Sequence, residues 1–443
     1  MSRLMLAALS VSVSLAAQQP VPYEYFPLDN GLRVFLIEDH DTPVVTVNVW
    51  YNVGSRNERP GRSGFAHLFE HMMFQGSANA DKGAHMQLIE RAGGNMNGST
   101  NTDRTNYYQT LPSNRLNLGL WLEADRMRSL AITPENFENQ RETVKEERRL
   151  RIDNQPYARA FVDGLAMQYD SVTCYPYSHT VIGSMDDLNA TTTPDVQAFF
   201  DLYYAPNNAT LVVVGDFQPA EARRLIQQYF GDIPQGAEPP PVDCRQQLNQ
   251  GAQRIVWPDA MANLPAVLSG FLIPGHDNAD TPALSLLSTI LGGGESSRLN
   301  QALVRDQQLA VQAGVFTDSR RGPGQFVVLA VANQGVTTDT LEAALMAEVA
   351  RIGEEGVTEE ELERAKNAFR STDVFGRQTS MNIAERIQHY AHDHADPSEI
   401  NTDADRYLSV TLDDIHRVAQ RYLVPNNSLL LIVTPARQAE VQP

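Results

Sequence analysis

A chain of 443 residues, 42% hydrophobic and 20% charged, has the makeup of a folded globular protein and excludes a disordered or fibrous one. Its 54 acidic against 35 basic side chains give a formal net charge of −19, an acidic surface that repels phosphate and argues against a nucleic-acid partner. Two cysteines, Cys174 and Cys244, exclude a disulfide framework and a four-cysteine metal site, and leave open whether they form one bridge.

At the N-terminus, Arg3 precedes an apolar run over residues 4–17 that ends in Ser14-Leu15-Ala16-Ala17. Charge, short apolar core and small residues together read as an export signal over residues 1–17, cleaved after Ala16 or Ala17. At about 14 residues the run is short for a bilayer span, and no later stretch is long enough. The mature chain is therefore expected to have no membrane segment, and to be periplasmic if its source is Gram-negative.

Residues 31–37 and 44–53 alternate apolar and polar side chains with β-branched enrichment and are predicted strands. Residues 63–74 are a predicted helix. Residues 134–153 are a longer one, with Pro134 in its first turn and Glu135 and Glu138 complementing its dipole. A helix, a Pro-Asn-Asn turn and an apolar strand then occur twice. Thr192 … Pro206-Asn207-Asn208 recurs as Thr411 … Pro425-Asn426-Asn427, at a constant offset of 219 residues. An offset of half the chain means a duplicated domain. The expected organisation is a first domain over residues 18–234, a Pro-rich linker over 235–250 and a homologous domain over 251–443. Each is α+β, a mixed or antiparallel sheet packed with helices.

The chemistry is carried by His67-Leu68-Phe69-Glu70-His71. Residues four apart share a helix face, so two imidazoles can grip one zinc ion. Glu70 flanks the same site, where a carboxylate can take a proton from water activated by the metal. The helix is apolar nearly all round, and burying two histidines and a glutamate without a partner is costly. A third ligand is sought on the longer helix. Its apolar stripe through Phe137 and Val144 extends to Gln140 and Glu147, and Glu146 points away. On pattern alone Glu147 reads equally as a ligand or as part of a solvated charge run. Gly292-Gly293-Gly294 lacks a following Gly-Lys-Ser/Thr and reads as a helix stop rather than a phosphate loop. His389, His392 and His394 read as a solvated polar loop. Cys174, near His179, reads as inert or paired rather than nucleophilic.

With the Gly93-Gly94-Asn95-Met96-Asn97-Gly98 segment added, these motifs resemble the pitrilysin/insulinase family of inverted zincins, in size most like bacterial relatives of the mitochondrial processing peptidase. The resemblance covers nearly the whole mature chain. It implies two similar α/β-roll domains, with His67, His71 and Glu147 as zinc ligands and Glu70 as general base. It implies a chamber formed by two such subunits, or by one double-length chain, and a peptide substrate that adds a strand near the Gly-Gly-x-x-Asn segment, with Asn97 in contact. On residues alone that segment also reads as a helix-ending turn. Two departures stand out. Many relatives carry a glutamate seven residues before the third ligand, orienting it, where this chain has Gln140. Active relatives also carry an arginine and a tyrosine in the second domain. Here Arg305 is one place out of register and the tyrosine position is Val311. The expectation is a zinc endopeptidase needing a homologous partner subunit (as a heterodimer or homodimer), and the alternative is a non-catalytic peptide-binding or assembly subunit.

Overall fold

The structure, a computed structural model, describes residues 20–394 and 396–436, so the expected export signal lies outside the described residues. The first half runs β1 (Glu24–Pro27), β2 (Arg33–Glu38), β3 (Val44–Tyr51), α1 (Phe65–Met72), α2 (Ala84–Arg91), β4 (Asn95–Thr100), β5 (Thr105–Pro112), α3 (Leu116–Ser129), α4 (Pro134–Arg148), α5 (Met185–Ala190), α6 (Thr193–Tyr203), β6 (Ala209–Gly215) and α7 (Pro219–Phe230). The second runs β7 (Gln253–Asp259), β8 (Ala266–Ile273), α8 (Thr281–Gly292), β9 (Ala310–Asp318), β10 (Gly324–Ala332), α9 (Thr338–Glu355), α10 (Glu359–Phe375), α11 (Ser380–His389), α12 (Asp403–Leu408), α13 (Leu412–Tyr422) and β11 (Ser428–Pro435). Residues 235–250 contain neither helix nor strand. No described helix is long and apolar enough to cross a membrane.

Each half forms one mixed sheet. The first has the order β1-β2-β6-β3-β5-β4 and the second β7-β11-β8-β10-β9. In each, one pair is parallel (β2 with β6, β7 with β11) and the other pairings are antiparallel. Apart from the added β1, the two orders superimpose strand for strand. The α+β class with duplicated sheets is as expected.

The repeated turn has a physical reason. Thr192 with Asp195 and Thr411 with Asp414 form capping boxes at the starts of α6 and α13. Asn208 donates to the Tyr203 carbonyl at 2.8 Å, and Asn427 donates to the Tyr422 carbonyl at 2.9 Å. A buried amide reaching back to the last helical turn satisfies an orphan carbonyl and turns the chain into the central strand.

Strand alternation is not solvent alternation here. Val45, Val47 and Val49 of β3 face the first core, with Phe65, Leu68 and Phe69 of α1. The opposite face, carrying Thr46 and Asn48, is buried too, because α11 of the second half lies across it. Thr46 shares a 2.8 Å hydrogen bond with Ser380, and Asn48 donates to Glu385 at 2.6 Å. Phe35, Ile37, Val212 and Val214 pack there against Ile383, Ala384 and Ile387. The exchange is reciprocal: Ala160 and Leu165 of the first half pack on Ala266, Leu268, Leu429 and Leu431 of the second sheet. Each half thus covers the outer face of the other's sheet, which is why β6 and β11 read as near-continuous apolar runs. Ile387 is fully buried at this contact. Ile387→Ala is expected to cost about 2–5 kcal/mol, measured by urea unfolding.

Several expectations are refined. The 63–74 helix is α over Phe65–Met72 and starts after Gly64, whose φ of +88° is left-handed. The 134–153 helix is α to Arg148 and widens to a π turn over Arg149–Asp153. The glycine-rich segment serves as both turn and strand, since Gly93 (φ +83°) follows α2 and leads into β4. Gly292 ends α8, as a helix stop should. Cys174 and Cys244 are disulfide-bonded, fastening the 235–250 segment to the first half. The solvated loop expected around His389, His392 and His394 is corrected at the first two, the side chain of His394 lying outside the described residues. His392 is 8% exposed and packs edge-on against Trp50, and His389 stands beside buried His276. The cause is the same interlock, which buries the end of α11 between the halves.

Candidate metal centre

Buried α1 carries Phe65, Ala66, Leu68, Phe69 and Met72 into the core, and turns His67 and His71 to one side. Their rings meet edge to face, centroids 4.9 Å apart. Helix α4 is started by Thr133, whose hydroxyl accepts from the Asn136 N–H at 3.2 Å, with Pro134 in the first turn. It packs on α1 through a stripe that includes buried Phe137, Gln140 and Val144. One turn on, Glu147 enters the same side, while Glu146 turns outward and pairs with Arg149. The face assignment from 100° per residue therefore holds for both glutamates.

Among the described residues, one group of three or more His, Cys, Asp and Glu side chains can share an ion: His67, His71 and Glu147, their ligand atoms within 4.8 Å of one another. Oε2 of Glu147 lies 3.6 Å from Nε2 of His67 and 3.3 Å from Nε2 of His71. Tetrahedral zinc with bonds of about 2.0–2.2 Å sets neighbouring ligand atoms about 3.3–3.6 Å apart, so these separations fit the ion. The donor set of two imidazoles and a carboxylate also suits it. The other Glu147 oxygen is held by Arg151 at 2.9 Å, which leaves Oε2 directed at the imidazoles.

The electrostatics agree. Burial, aided by the neighbouring His71, pushes the His67 pKa down to about 4, so its ring is neutral and able to ligate. Close approach of His71 holds Glu147 below the usual carboxylate range. Burial raises Glu70, opposed by a hydrogen bond from Thr100. That bond, Thr100 Oγ1 donating to Glu70 Oε2 at 2.6 Å, was not foreseen. It links α1 to the last residue of β4, a contact between residues thirty apart that no local pattern signals.

The remaining sequence candidates are placed as follows. Asn97 is exposed on β4, an outer strand of the first sheet, and its Oδ1 accepts from the Gly98 N–H at 2.9 Å. Gln140 is buried on the same helix face as Glu147, but its amide donates to Asn139 at 2.8 Å and to none of the three candidate ligands. The buried Nδ1 of His67 has no hydrogen-bond partner among the described residues. Arg305 is exposed and Val311 is 51% exposed, and neither has a described hydrogen bond or ion pair to the three-residue group.

Residues 33–167 match the family described as Insulinase (Peptidase family M16), and residues 191–369 match the Peptidase M16 inactive domain. The zinc protease PqqE of Helicobacter pylori is 30% identical over 432 residues, 96% of this chain and 96% of that one. The chain belongs to the insulinase family, peptidase family M16. A crystal structure of a protease from Helicobacter pylori covers 94% of this M16 chain and is itself fully covered, at 30% identity and a TM-score of 0.89. The probable mitochondrial-processing peptidase subunit beta of Arabidopsis thaliana is 24% identical over 92% of this chain and 77% of its own length. The split between the two M16 matches follows the side chains. The candidate metal group lies wholly in the first half, and α8, which occupies in the second half the place between strands that α1 holds in the first, carries no histidine.

Proposed function

We propose that this M16 chain is a zinc-dependent endopeptidase acting on peptides or unfolded polypeptide segments, with His67, His71 and Glu147 as zinc ligands and Glu70 as general base. The observation that carries this reading is the convergence of three ligand atoms from α1 and α4 within 4.8 Å of one another, Glu147 standing 3.6 and 3.3 Å from the two imidazoles, with Glu70 on the same helix as the histidines. Zinc, when bound, acts as a Lewis acid on the scissile carbonyl and lowers the pKa of water. Glu70 takes the proton of the attacking water and delivers it to the departing amine. Thr100 holds the acceptor oxygen of Glu70 in one place, so the base needs no reorientation before transfer.

The substrate arm of the proposal rests on β4. An open sheet edge can accept an extended peptide by main-chain pairing, which tolerates many sequences. Asn97 is the contact proposed on that edge, and Gln140 the group behind the ligands. The disulfide supports export to an oxidising compartment, which is the periplasm for a Gram-negative source.

A homologous partner subunit is proposed to supply the arginine and tyrosine that Arg305 and Val311 replace imperfectly, since valine offers no hydrogen bond to an oxyanion. The purified chain is then expected to bind zinc yet cleave a quenched peptide slowly, with turnover raised by a related subunit. Full turnover by the chain alone overturns the partner requirement. The second reading, a non-catalytic peptide-binding subunit, is favoured only by Val311. It predicts no metal-dependent cleavage with or without a partner.

A further inference from the structure

The two helices that carry the candidate ligands pack on one another, and a third segment bonds to both. Glu58 sits just before α1 with its side chain fully buried. Its two oxygens accept from the Gly64 N–H at 2.8 Å and the Ala66 N–H at 2.7 Å, the orphan donors at the start of α1. The His179 ring closes on the same carboxylate, Nε2 at 3.1 Å from Oε2. That nitrogen also meets the Ser55 carbonyl at 2.9 Å, and Nδ1 meets the Tyr175 carbonyl at 2.9 Å. Carbonyls only accept, so both ring nitrogens donate, and His179 is an imidazolium paired with buried Glu58.

Four residues further on, the chain meets both helices. Gly183 packs so tightly on the residues before α1 that a β-carbon there would stand 2.4 Å from the Ser63 carbonyl oxygen. Ser63 donates its N–H to Asp187 at 2.9 Å, and its hydroxyl bonds the same carboxylate. From the other side Arg148, the neighbour of Glu147 in α4, donates to the Gly183 carbonyl at 2.6 Å and to Asp163 at 2.8 Å. One short segment therefore grips the N-terminus of the histidine helix and the C-terminal turn of the glutamate helix. Its upstream end is anchored by the Cys174–Cys244 bridge.

We propose that the 179–187 segment, which supplies no ligand itself, is a brace that sets the register of α1 against α4, with Glu58, His179 and Arg148 as its positioning residues. The inference rests on the zinc reading above. Shifting either helix along its axis by one residue moves its ligands about 1.5 Å, a large error against a zinc–ligand bond of about 2 Å. Partners that orient metal ligands typically account for about 10–100-fold in metal affinity.

The test is zinc affinity of the metal-free mature chain, measured by competition with a chromogenic chelator well below the melting temperature. Wild type is compared with Glu58→Gln, which cannot accept from two N–H groups and an imidazolium at once, and with Arg148→Lys. Arg148 spans Gly183 and Asp163 with two different guanidinium nitrogens, and a lysine, whose donors all sit on one nitrogen, loses that fixed fork. Both folded variants are expected to bind zinc about 10–100-fold more weakly than wild type. A purely structural role would lower the melting temperature and leave the affinity of the folded chain unchanged. A smaller loss than about 10-fold in either folded variant overturns the brace. If Glu58→Gln does not fold, Arg148→Lys decides alone. Failure of the wild-type chain to bind zinc at all refutes the metal reading instead, so the two failures are distinct.

Discussion

Replacing Glu70 by glutamine is expected to lower cleavage of a quenched peptide by about 10²–10⁴-fold, the usual worth of a positioned general base, while zinc content and melting temperature stay at wild-type values. The substitution is close to isosteric. The glutamine oxygen can still accept the Thr100 hydroxyl, which lies 2.6 Å from the present carboxylate, so the side chain keeps its place. What is lost is the capacity to take a proton. Glu70 is not in the group of three whose ligand atoms converge, so the metal site keeps its donors. The measurement is turnover per bound zinc, with the partner subunit present if the chain alone is slow. Unchanged turnover in Glu70→Gln would remove the base assigned here, and with it the mechanism.

The second large effect concerns the metal itself. His71→Ala is expected to yield a folded chain without stoichiometric zinc, a loss greater than the about 10–100-fold attached to partners that merely orient ligands. His71 makes the 3.3 Å approach to Glu147, and its side chain is 22% exposed. Truncation therefore opens little buried cavity, and alanine is a better helix former than histidine. Metal analysis after gel filtration reads the outcome, and far-UV circular dichroism confirms the fold. Zinc retained at one per chain would mean that the ion sits elsewhere. Chelator-treated wild type should match His71→Ala in lacking cleavage and, unlike it, recover when zinc is returned.

The family reading was legible in local pattern because the decisive chemistry is local. His67 and His71 share a face through helix geometry alone. The opposite fates of Glu146, exposed and paired with Arg149, and Glu147, turned onto the imidazoles, follow from the angle between successive residues. The duplication was equally legible, since the capping threonines and the asparagines that close the α6 and α13 turns recur at one offset, each tied to residues close by in the chain.

What the chain alone did not disclose is everything that joins distant residues. The alternation in β3 did not say what covers its polar side, where Thr46 and Asn48 lie under α11, more than 300 residues away. His392 looked like loop and is buried by the same exchange. Thr100 could be assigned to Glu70 only once β4 was known to border α1. The pairing of Cys174 with Cys244, which count alone left open, was decided by where the 235–250 segment returns to the first half. Sequence by itself thus determined which side chains share the candidate metal face, and the duplication, because helix periodicity and turn chemistry act over a few residues. Tertiary structure decided which strand stands at the sheet edge, how the halves cover one another and which segment bonds to both α1 and α4. Those depend on which buried surfaces find each other across the whole chain, and no short-range periodicity encodes that choice.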